Sequence, residues 1–314
     1  MNKLINLSFV FPGQGSQSLG MLSELAAGHS EVEETFEAAS EVLGKDLWKI
    51  AQEGPADLQN QTINTQPLML AAGVATWRIW SKLTDIHPSW MAGHSLGEYS
   101  ALVCANSIAF EDAVKIVSER ARFMQEAVPD GVGAMAAVLG LENHLVVAAC
   151  KEAADDEVVS AVNFNAPGQV VIAGNAAAVE RAIEAAKEQG ARKAILLPVS
   201  VPSHCSLMEP AAEKLDELLQ TIEIKTPDTA VLHNADVNCH EAPEVIRNAL
   251  KQQLFNPVRW TESVRFMSDQ GATIFVECGP GKVLSGMNKR IVKGVTVLPL
   301  INEATLNKTL EALQ

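Results

Sequence analysis

The sequence predicts an α/β protein in which a small domain is inserted into a larger one. Short apolar runs alternate with helical periods along the chain, which is typical of α/β proteins. A Gly-x-Ser-x-Gly turn at 93–97 follows an apolar segment and precedes an amphipathic one, as in a nucleophile elbow. Between 134 and 197 the order becomes β-α-β-β-α-β. We therefore expect an α/β-hydrolase-like large domain over 1–130 and 201–314, with a ferredoxin-like small domain over 131–200.

The first part of the chain predicts the strands and helices that lead into the turn and away from it. In order, we expect a strand at 7–11, a loop at 12–17, helical segments to about 50, a helix at 64–82, a strand at 89–92, and helices at 96–105 and 110–125. Asn64 is a plausible N-cap of the long helix, and Pro67 would then fall in its first turn, where proline is tolerated.

The inserted segment follows a linker at 129–133 and has its own pattern of elements. We expect strands at 134–139, 158–164, 170–173 and 194–197, and helices at 142–153 and 176–189. The two middle strands are joined through 165–168, a hairpin-like turn, so the unit can bury its own core. The chain then returns through 198–204 to helices near 206–220 and 243–254 and a strand at 273–277.

Composition limits the classes of partner and the compartment. The chain has 314 residues, 47% of them hydrophobic and 20% charged, with a net charge of −14, so binding to nucleic acid or to an anionic membrane is not expected. Its five cysteines are scattered without a Cys-x-x-Cys pair, which favours reduced thiols in the cytosol over disulfides or a zinc site. We expect a cytoplasmic monomer whose partners are small molecules, or proteins met through a local patch.

Ser95 is the candidate nucleophile. The flanking Gly93 and Gly97 let the backbone pass closely, and the amide of Leu96 would then lie at a helix N-terminus, where it can donate to an oxyanion. The alternative is a strand-to-helix turn whose serine only caps the helix.

His204 is the candidate base among seven histidines. It lies in a Pro-flanked loop at the predicted domain junction, where clefts form, whereas His94 adjoins Ser95 on a sharp turn and should point away from it. No aspartate or glutamate between Ser95 and His204 in chain order falls at the end of a strand beside the elbow. The imidazole must then be oriented by another group, and a backbone carbonyl is sufficient.

Seven ordered motifs resemble the malonyl-CoA:acyl carrier protein transacylases of type II fatty acid synthesis. They are Gly13 to Gln17, Gly93 to Glu98, Arg120 with Phe123 to Gln125, Gly133 to Met135, Asn165 to Gln169, Ser203 with His204, and Gln253 to Leu254 with Asn256 to Val258. The resemblance spans almost the whole chain, including the inserted domain. One departure is Ser203, because carrier-fused relatives that select malonyl often have phenylalanine before the active histidine.

The resemblance implies a role for each matching residue. Ser95 would be the nucleophile and His204 its base, with the imidazole held by the main-chain carbonyl of Gln253. The backbone amides of Gln14 and Leu96 would form the oxyanion hole. The remaining two assignments concern the acyl group: Arg120 would bind the free carboxylate of malonyl, and Gln66 would line the same pocket.

The resemblance also implies the reaction and its partners. Ser95 would take malonyl from malonyl-CoA and pass it to the phosphopantetheine thiol of acyl carrier protein, with no metal or bound cofactor. Because such carriers are acidic, a chain of net charge −14 needs a local basic patch. The candidates are Arg192, Lys193, Lys282, Lys289 and Arg290. Two alternatives stay open: a serine esterase or thioesterase, in which water replaces the second thiol, and a non-catalytic carrier-binding scaffold.

Overall fold

The computed structural model describes residues 2–129, 131–199 and 201–313. Two sheets lie within these ranges, one parallel and one antiparallel, so a mixed α/β architecture is confirmed. The predicted domain boundaries fall on Asp130 and Ser200, which lie outside the described residues. None of the helices in these ranges is long and apolar enough to cross a membrane.

The strands and helices alternate along most of the described chain. The strands are β1 (Asn2–Phe11), β2 (Ile86–Gly93), β3 (Gly133–Leu139), β4 (Val159–Ala166), β5 (Gln169–Asn175), β6 (Lys193–Leu196), β7 (Ala230–Leu232), β8 (Ile274–Cys278) and β9 (Thr296–Leu300). The helices up to the inserted segment are α1 (Ser23–Ala26), α2 (Glu31–Leu43), α3 (Leu47–Glu53), α4 (Ala56–Asn60), α5 (Thr62–Leu83), α6 (Gly97–Cys104) and α7 (Phe110–Ala127). The later helices are α8 (Asn143–Ala153), α9 (Ala176–Glu188), α10 (Glu209–Leu219), preceded by a 3₁₀ turn at Ser206–Met208, α11 (Pro243–Gln253), α12 (Trp260–Asp269), α13 (Val283–Ile291) and α14 (Glu303–Leu313).

The parallel sheet has the strand order β7-β2-β1-β8-β9 and is covered by helices on both faces. Its side chains alternate, as a strand requires: Leu7 and Phe9 pack into the larger core with α5, α6 and α7, and Val10 packs into a second core with α12 and α13. Burial on both faces explains why the second half of β1, residues 7–11, is apolar at every position except Ser8.

The antiparallel sheet has the strand order β4-β5-β3-β6 and is built from one continuous segment of β-α-β-β-α-β order. One face packs against α8 and α9, where Val138, Ile172 and Val179 belong to a separate core. The other face carries Met135 and Val171, which pack near Cys205 of the parallel-sheet unit. The second face of this sheet therefore covers the carboxyl edge of the parallel sheet.

Three neighbouring parallel strands end at this edge. Phe11 of β1 pairs with Gly93 of β2, and Leu232 of β7 pairs with Ala92, so the segments that follow these strands emerge together. Open α/β sheets bind ligands at the carboxyl ends of their strands, because the connecting loops and helix N-termini converge there. The topology thus brings Gln14, Ser95 and Asn234, which are distant in sequence, to one place.

The long helix α5 differs from its prediction. It begins at Thr62, so Asn64 lies inside it and the expectation that Asn64 caps it is wrong. The Asn64 side chain accepts from Lys45 Nζ at 2.8 Å and donates to the Leu58 carbonyl at 2.9 Å, so tertiary contacts occupy the groups a cap would use. Pro67 lies in the second turn rather than the first.

Candidate active site

The turn between β2 and α6 has the geometry of a nucleophile elbow. A Cβ on Gly93 would lie 1.8 Å from the carbonyl carbon of Gly97, and a Cβ on Gly97 would lie 2.1 Å from the carbonyl oxygen of Phe11. Ser95, between them, has φ of 50°, in the left-handed region that few non-glycine residues adopt. The glycines are therefore required by close backbone approach, and the serine is held in a strained conformation typical of functional sites.

Ser95, His204 and Gln253 form a hydrogen-bonded chain. Ser95 Oγ lies 2.8 Å from His204 Nε2, and His204 Nδ1 lies 2.7 Å from the carbonyl oxygen of Gln253. Gln253 is the last residue of α11, so its carbonyl has no intrahelical partner and is free to accept from the imidazole. The donor at Nδ1 leaves Nε2 as the acceptor facing the serine hydroxyl. This is the arrangement that a serine needs to lose its proton during attack.

The environment of His204 keeps its imidazole neutral. The side chain is buried, and burial, followed by the positive charge of Arg120, lowers the pKa of His204 to about 3. A neutral imidazole can accept a proton at physiological pH. His204 also has φ of 67°, and its amide donates to the carbonyl of Leu254 at 3.0 Å, so the end of α11 fixes both its backbone and its ring.

Arg120 is a buried cation beside the serine. It is 1% exposed, and its guanidinium donates to Gln66 Oε1 at 2.8 Å, to Gln253 Oε1 at 3.0 Å and to Ser95 Oγ at 3.2 Å. None of the ion pairs among the described residues includes it. Burial lowers the pKa of Arg120, yet a guanidinium stays charged in proteins. A buried charge without a carboxylate partner is costly, so the arrangement favours an anionic ligand.

Gln14 and Leu96 border the same cavity as Ser95. Neither backbone amide has a hydrogen-bond acceptor among the described residues. The loop carrying Gln14 is held against the elbow, because His94 N donates to the carbonyl of Phe11 at 3.0 Å and a Cβ on Gly13 would lie 2.4 Å from the carbonyl oxygen of His94. Two free amides thus remain near the serine, as an oxyanion hole requires.

The cavity lies between the two sheets and has a volume of about 300 Å³. The parallel-sheet unit contributes Ser95, Arg120 and Gln66 to its lining, and the antiparallel sheet contributes Met135 and Val171. The seven residues to which the resemblance assigns a role in catalysis or in binding the acyl group are therefore found together. Six of them line the cavity, and Gln253 contacts His204 and Arg120.

A buried carboxylate network beneath the elbow was not anticipated from the sequence. Glu98 is fully buried and accepts from His233 Nδ1 at 2.7 Å, from Asn234 N at 2.9 Å and from Gln253 Nε2 at 2.9 Å. Gln253 Nε2 also donates to the carbonyl of Ser95 at 3.0 Å. One signal was available: Glu98 is the single charged residue of a short helix that is otherwise apolar or small, which predicts burial with partners.

Two groups next to Ser95 and His204 in the sequence take no direct part in the hydrogen-bonded series Ser95–His204–Gln253. His94 Nε2 lies 2.7 Å from Asn165 Oδ1 on β4, so its ring points to the antiparallel sheet and away from Ser95. Cys205 follows His204, but burial raises its pKa to about 11 and its thiol donates to the carbonyl of Pro202, so it is a poor nucleophile. Across the described ranges, no group of histidine, cysteine, aspartate and glutamate side chains could hold a metal ion.

Comparison with known proteins gives a consistent result. Residues 8–310 match the model of the acyl transferase domain family. The chain is 54% identical over 307 residues to the malonyl CoA-acyl carrier protein transacylase of Salmonella typhimurium, covering 98% of this chain and 99% of the relative. It is 41% identical over 309 residues to the Bacillus subtilis protein of the same name, covering 98% and 97%.

Solved structures agree with the sequence relatives. An acyl carrier protein S-malonyltransferase from Vibrio cholerae superposes with a TM-score of 0.95 at 53% identity, covering 97% of this chain and 99% of that chain. A malonyl-transacylase solved in complex with its type II PKS acyl-carrier protein gives a TM-score of 0.97 at 53% identity, covering 98% and 99%. The chain therefore belongs to the acyl transferase domain family and, within it, to the malonyl CoA-acyl carrier protein transacylases.

Proposed function

We propose that this protein transfers the malonyl group from malonyl-CoA to the phosphopantetheine thiol of acyl carrier protein through a malonyl ester on Ser95. The observation that carries the proposal is the position of one hydroxyl between two groups of complementary function. Ser95 Oγ lies 2.8 Å from a neutral imidazole that can accept its proton and 3.2 Å from a buried guanidinium that lacks a carboxylate.

In the first half of the reaction, Ser95 Oγ attacks the thioester carbon of malonyl-CoA while His204 Nε2 accepts the hydroxyl proton. The thioester oxygen becomes an oxyanion that the amides of Gln14 and Leu96 stabilise, each by about 2.7 to 4 kcal/mol. The C–S bond then breaks, and the leaving thiolate of coenzyme A takes the proton from His204. The products are malonyl-Ser95 and free coenzyme A.

The second half reverses these steps with a different thiol. The phosphopantetheine thiol of the carrier gives its proton to His204 Nε2 and attacks the ester carbon of malonyl-Ser95. The C–O bond breaks, and Ser95 Oγ recovers the proton from His204. Since the same base and the same amides act in both halves, the site needs no cofactor or metal.

Arg120 supports the choice of malonyl as the acyl group. A free carboxylate on the acyl chain would supply the anion that this guanidinium lacks, and a bidentate pair would fix its orientation. The side-chain oxygens of Gln66 and Gln253 accept hydrogen bonds from two of the guanidinium nitrogens and so fix the orientation of the group. An acetyl group would leave the buried charge unpaired, so it should be the poorer substrate.

The fold supports a more specific architectural relationship. We propose that the parallel-sheet unit is hydrolase-like, on the strength of its elbow at the end of β2, and that the β-α-β-β-α-β unit is a ferredoxin-like insertion, on the strength of its strand order. Both halves of the site come from one chain and all five cysteines are free thiols. We therefore also propose a monomer that works in the cytoplasm.

A basic surface beside the cavity supports docking of an acidic carrier. Helix α13 lines the cavity with Val283 and Met287. The exposed Lys289 lies on this helix, and the exposed Lys282 immediately precedes it. Arg290, also exposed, donates to Gln169 and to the carbonyl of Pro167, so it additionally holds the β4–β5 turn. Reversing the charge of Lys282 and Lys289 together should slow transfer to carrier while acylation by malonyl-CoA is unchanged. Unchanged transfer would remove this surface from the proposal.

Product analysis tests the proposed function against its two alternatives. The protein is mixed with malonyl-CoA and holo acyl carrier protein, and the products are identified by mass spectrometry. We expect malonyl carrier as the main product and none with Ser95→Ala. Free malonate as the main product would indicate a thioesterase, and no turnover of either kind would indicate a carrier-binding scaffold.

A further inference from the structure

Asn234 bridges the backbone of the nucleophile elbow. Its Nδ2 donates to the carbonyl oxygen of Gly93 at 2.7 Å, and its Oδ1 accepts from the amide of Ser95 at 2.7 Å. Gly93 is the last residue of β2, so the two bonds span His94 and connect the end of the strand to the serine. Asn234 is 1% exposed and does not line the cavity. It therefore acts on the elbow from the side opposite the substrate.

The elbow needs such a partner for two physical reasons. The amide of Ser95 precedes α6, so it has no carbonyl one turn earlier in a helix to bind, and a buried amide without an acceptor is costly. The positive φ of Ser95 is unfavourable and persists only where surrounding contacts enforce it. One carboxamide meets both needs, because it offers a donor and an acceptor at fixed spacing.

Asn234 is itself fixed by the buried carboxylate beneath the elbow. Its amide donates to Glu98 Oε2 at 2.9 Å, and Glu98 Oε2 also accepts from Gln253 Nε2 at 2.9 Å. Gln253 in turn contacts Arg120 through its side chain and His204 through its carbonyl. Asn234, His204 and Arg120 thus belong to one hydrogen-bonded network.

We propose that Asn234 is a positioning residue for the acyl transfer proposed above, and the inference rests on that function. Its carboxamide holds the Gly93–Ser95 backbone so that Ser95 Oγ stays within hydrogen-bond distance of His204 Nε2, with the amide of Leu96 beside it. Asn234 touches neither substrate nor reacting atoms. Its loss should therefore slow the chemical step in both halves of the reaction and leave substrate binding nearly unchanged.

The test separates the rate constant of the folded enzyme from the amount of folded enzyme. Formation of malonyl-Ser95 is followed by rapid quench and intact-mass spectrometry for wild type and Asn234→Ala. We expect an adduct on nearly every chain of the variant, with an acylation rate constant lower by about 10²-fold and KM within threefold. Asn238→Ala is the matched control, since Asn238 is exposed in the same loop and, within the part of the chain that the structure describes, its side chain hydrogen-bonds only to the carbonyl of Asp236.

Asn234→Asp provides a readout that a structural role alone would not produce. At pH 8 the carboxylate can accept from Ser95 N but offers Gly93 no donor, whereas a protonated carboxyl restores both bonds. The groups that face this position are Glu98 and His233, with His94 and Arg259 on adjoining segments. We expect the variant's acylation rate constant to rise at least tenfold between pH 8 and pH 5.5, while wild type and Asn238→Ala do not gain.

Two results would overturn the role of Asn234. One is an Asn234→Ala rate constant within threefold of wild type, with any loss confined to the fraction of chains that form adduct. The other is an Asn234→Asp rate constant that does not respond to pH, and this comparison also decides the matter if the alanine variant does not fold. Wild-type adduct formation tests the proposed function separately, so the two proposals can fail independently.

Discussion

Removing the guanidinium of Arg120 should abolish most of the preference of the enzyme for a charged acyl group. In Arg120→Ala the cavity loses its buried cation, and the malonyl carboxylate would enter a site that no longer compensates its desolvation. The contacts to Gln66, Gln253 and Ser95 are lost at the same time. An acetyl group makes no demand on the guanidinium, so its transfer should be little affected or should improve.

The size of the effect follows from the charge and its burial. Two unit charges about 4 Å apart attract by roughly 4 kcal/mol at an effective dielectric constant of about 20, which suits a site that is buried but opens to solvent. Since each 1.36 kcal/mol is a factor of ten, the ratio of kcat/KM for malonyl-CoA to that for acetyl-CoA should fall by about 10³-fold. Arg120→Lys should lose less, because it keeps the charge without the bidentate fork.

The assay measures kcat/KM for acylation with each acyl-CoA separately. Arg122→Ala is the matched control: this arginine lies two residues along the same helix, is partly exposed, and pairs with Glu119 and Glu126. Its removal should change both substrates alike and leave their ratio within twofold. If Arg120→Ala kept the malonyl preference of wild type, the assignment of the guanidinium to the acyl carboxylate would be wrong.

Three further predictions concern the base, its support and the elbow. Because the folded-state pKa of His204 is about 3, the acylation rate should show no inflection near pH 6.5 and should fall only below about pH 4, as the imidazole gains a proton. An inflection between pH 6 and 7 would contradict this. Gln253→Ala keeps the carbonyl that orients His204 but removes the side chain that contacts Arg120, so it should still form the acyl-enzyme, with kcat/KM for malonyl-CoA lower by about 10- to 100-fold. A loss of all acylation would contradict these separate roles of the Gln253 carbonyl and the Gln253 side chain. Gly93→Ala should destabilise the protein by about 3 kcal/mol or more in chemical unfolding, because its Cβ would overlap Gly97. Gly286→Ala in α13 is the control, since its Cβ has open space and the change should be neutral or slightly stabilising. Similar unfolding midpoints for the two variants would show that the elbow relaxes to accommodate the Cβ and would contradict the prediction.

The elbow could be predicted from the sequence because its requirements are local. The glycines at 93 and 97 are close in the chain, and a Cβ on Gly93 would clash with Gly97 itself, although the clash of a Cβ on Gly97 is with the distant Phe11. The inserted β-α-β-β-α-β order could be predicted equally well, since each strand or helix has its own hydrophobic period and is bounded by a turn. The predicted boundaries of the two domains, at 130 and 200, stay predictions.

The network beneath the elbow depends on long-range pairing and could not be predicted in the same way. Asn234 follows β7, a strand of three residues whose apolar pattern is too short to specify its neighbour. Only the pairing of β7 with β2 brings the Asn234 side chain to Ser95. The position of Arg120 could be predicted in part. It lies three residues after Val117 and four before Met124, both buried, so helical periodicity places it on the inner face of α7.

The most direct test of the account is the location of the acyl group after reaction with malonyl-CoA alone. Intact-mass measurement followed by peptide mapping should find one malonyl group per chain, attached at Ser95, and none on Ser95→Ala. His204→Ala should form the same adduct far more slowly, because it lacks the base. Malonyl found on another residue, or an adduct that persists in Ser95→Ala, would contradict the central claim that this hydroxyl carries the acyl group.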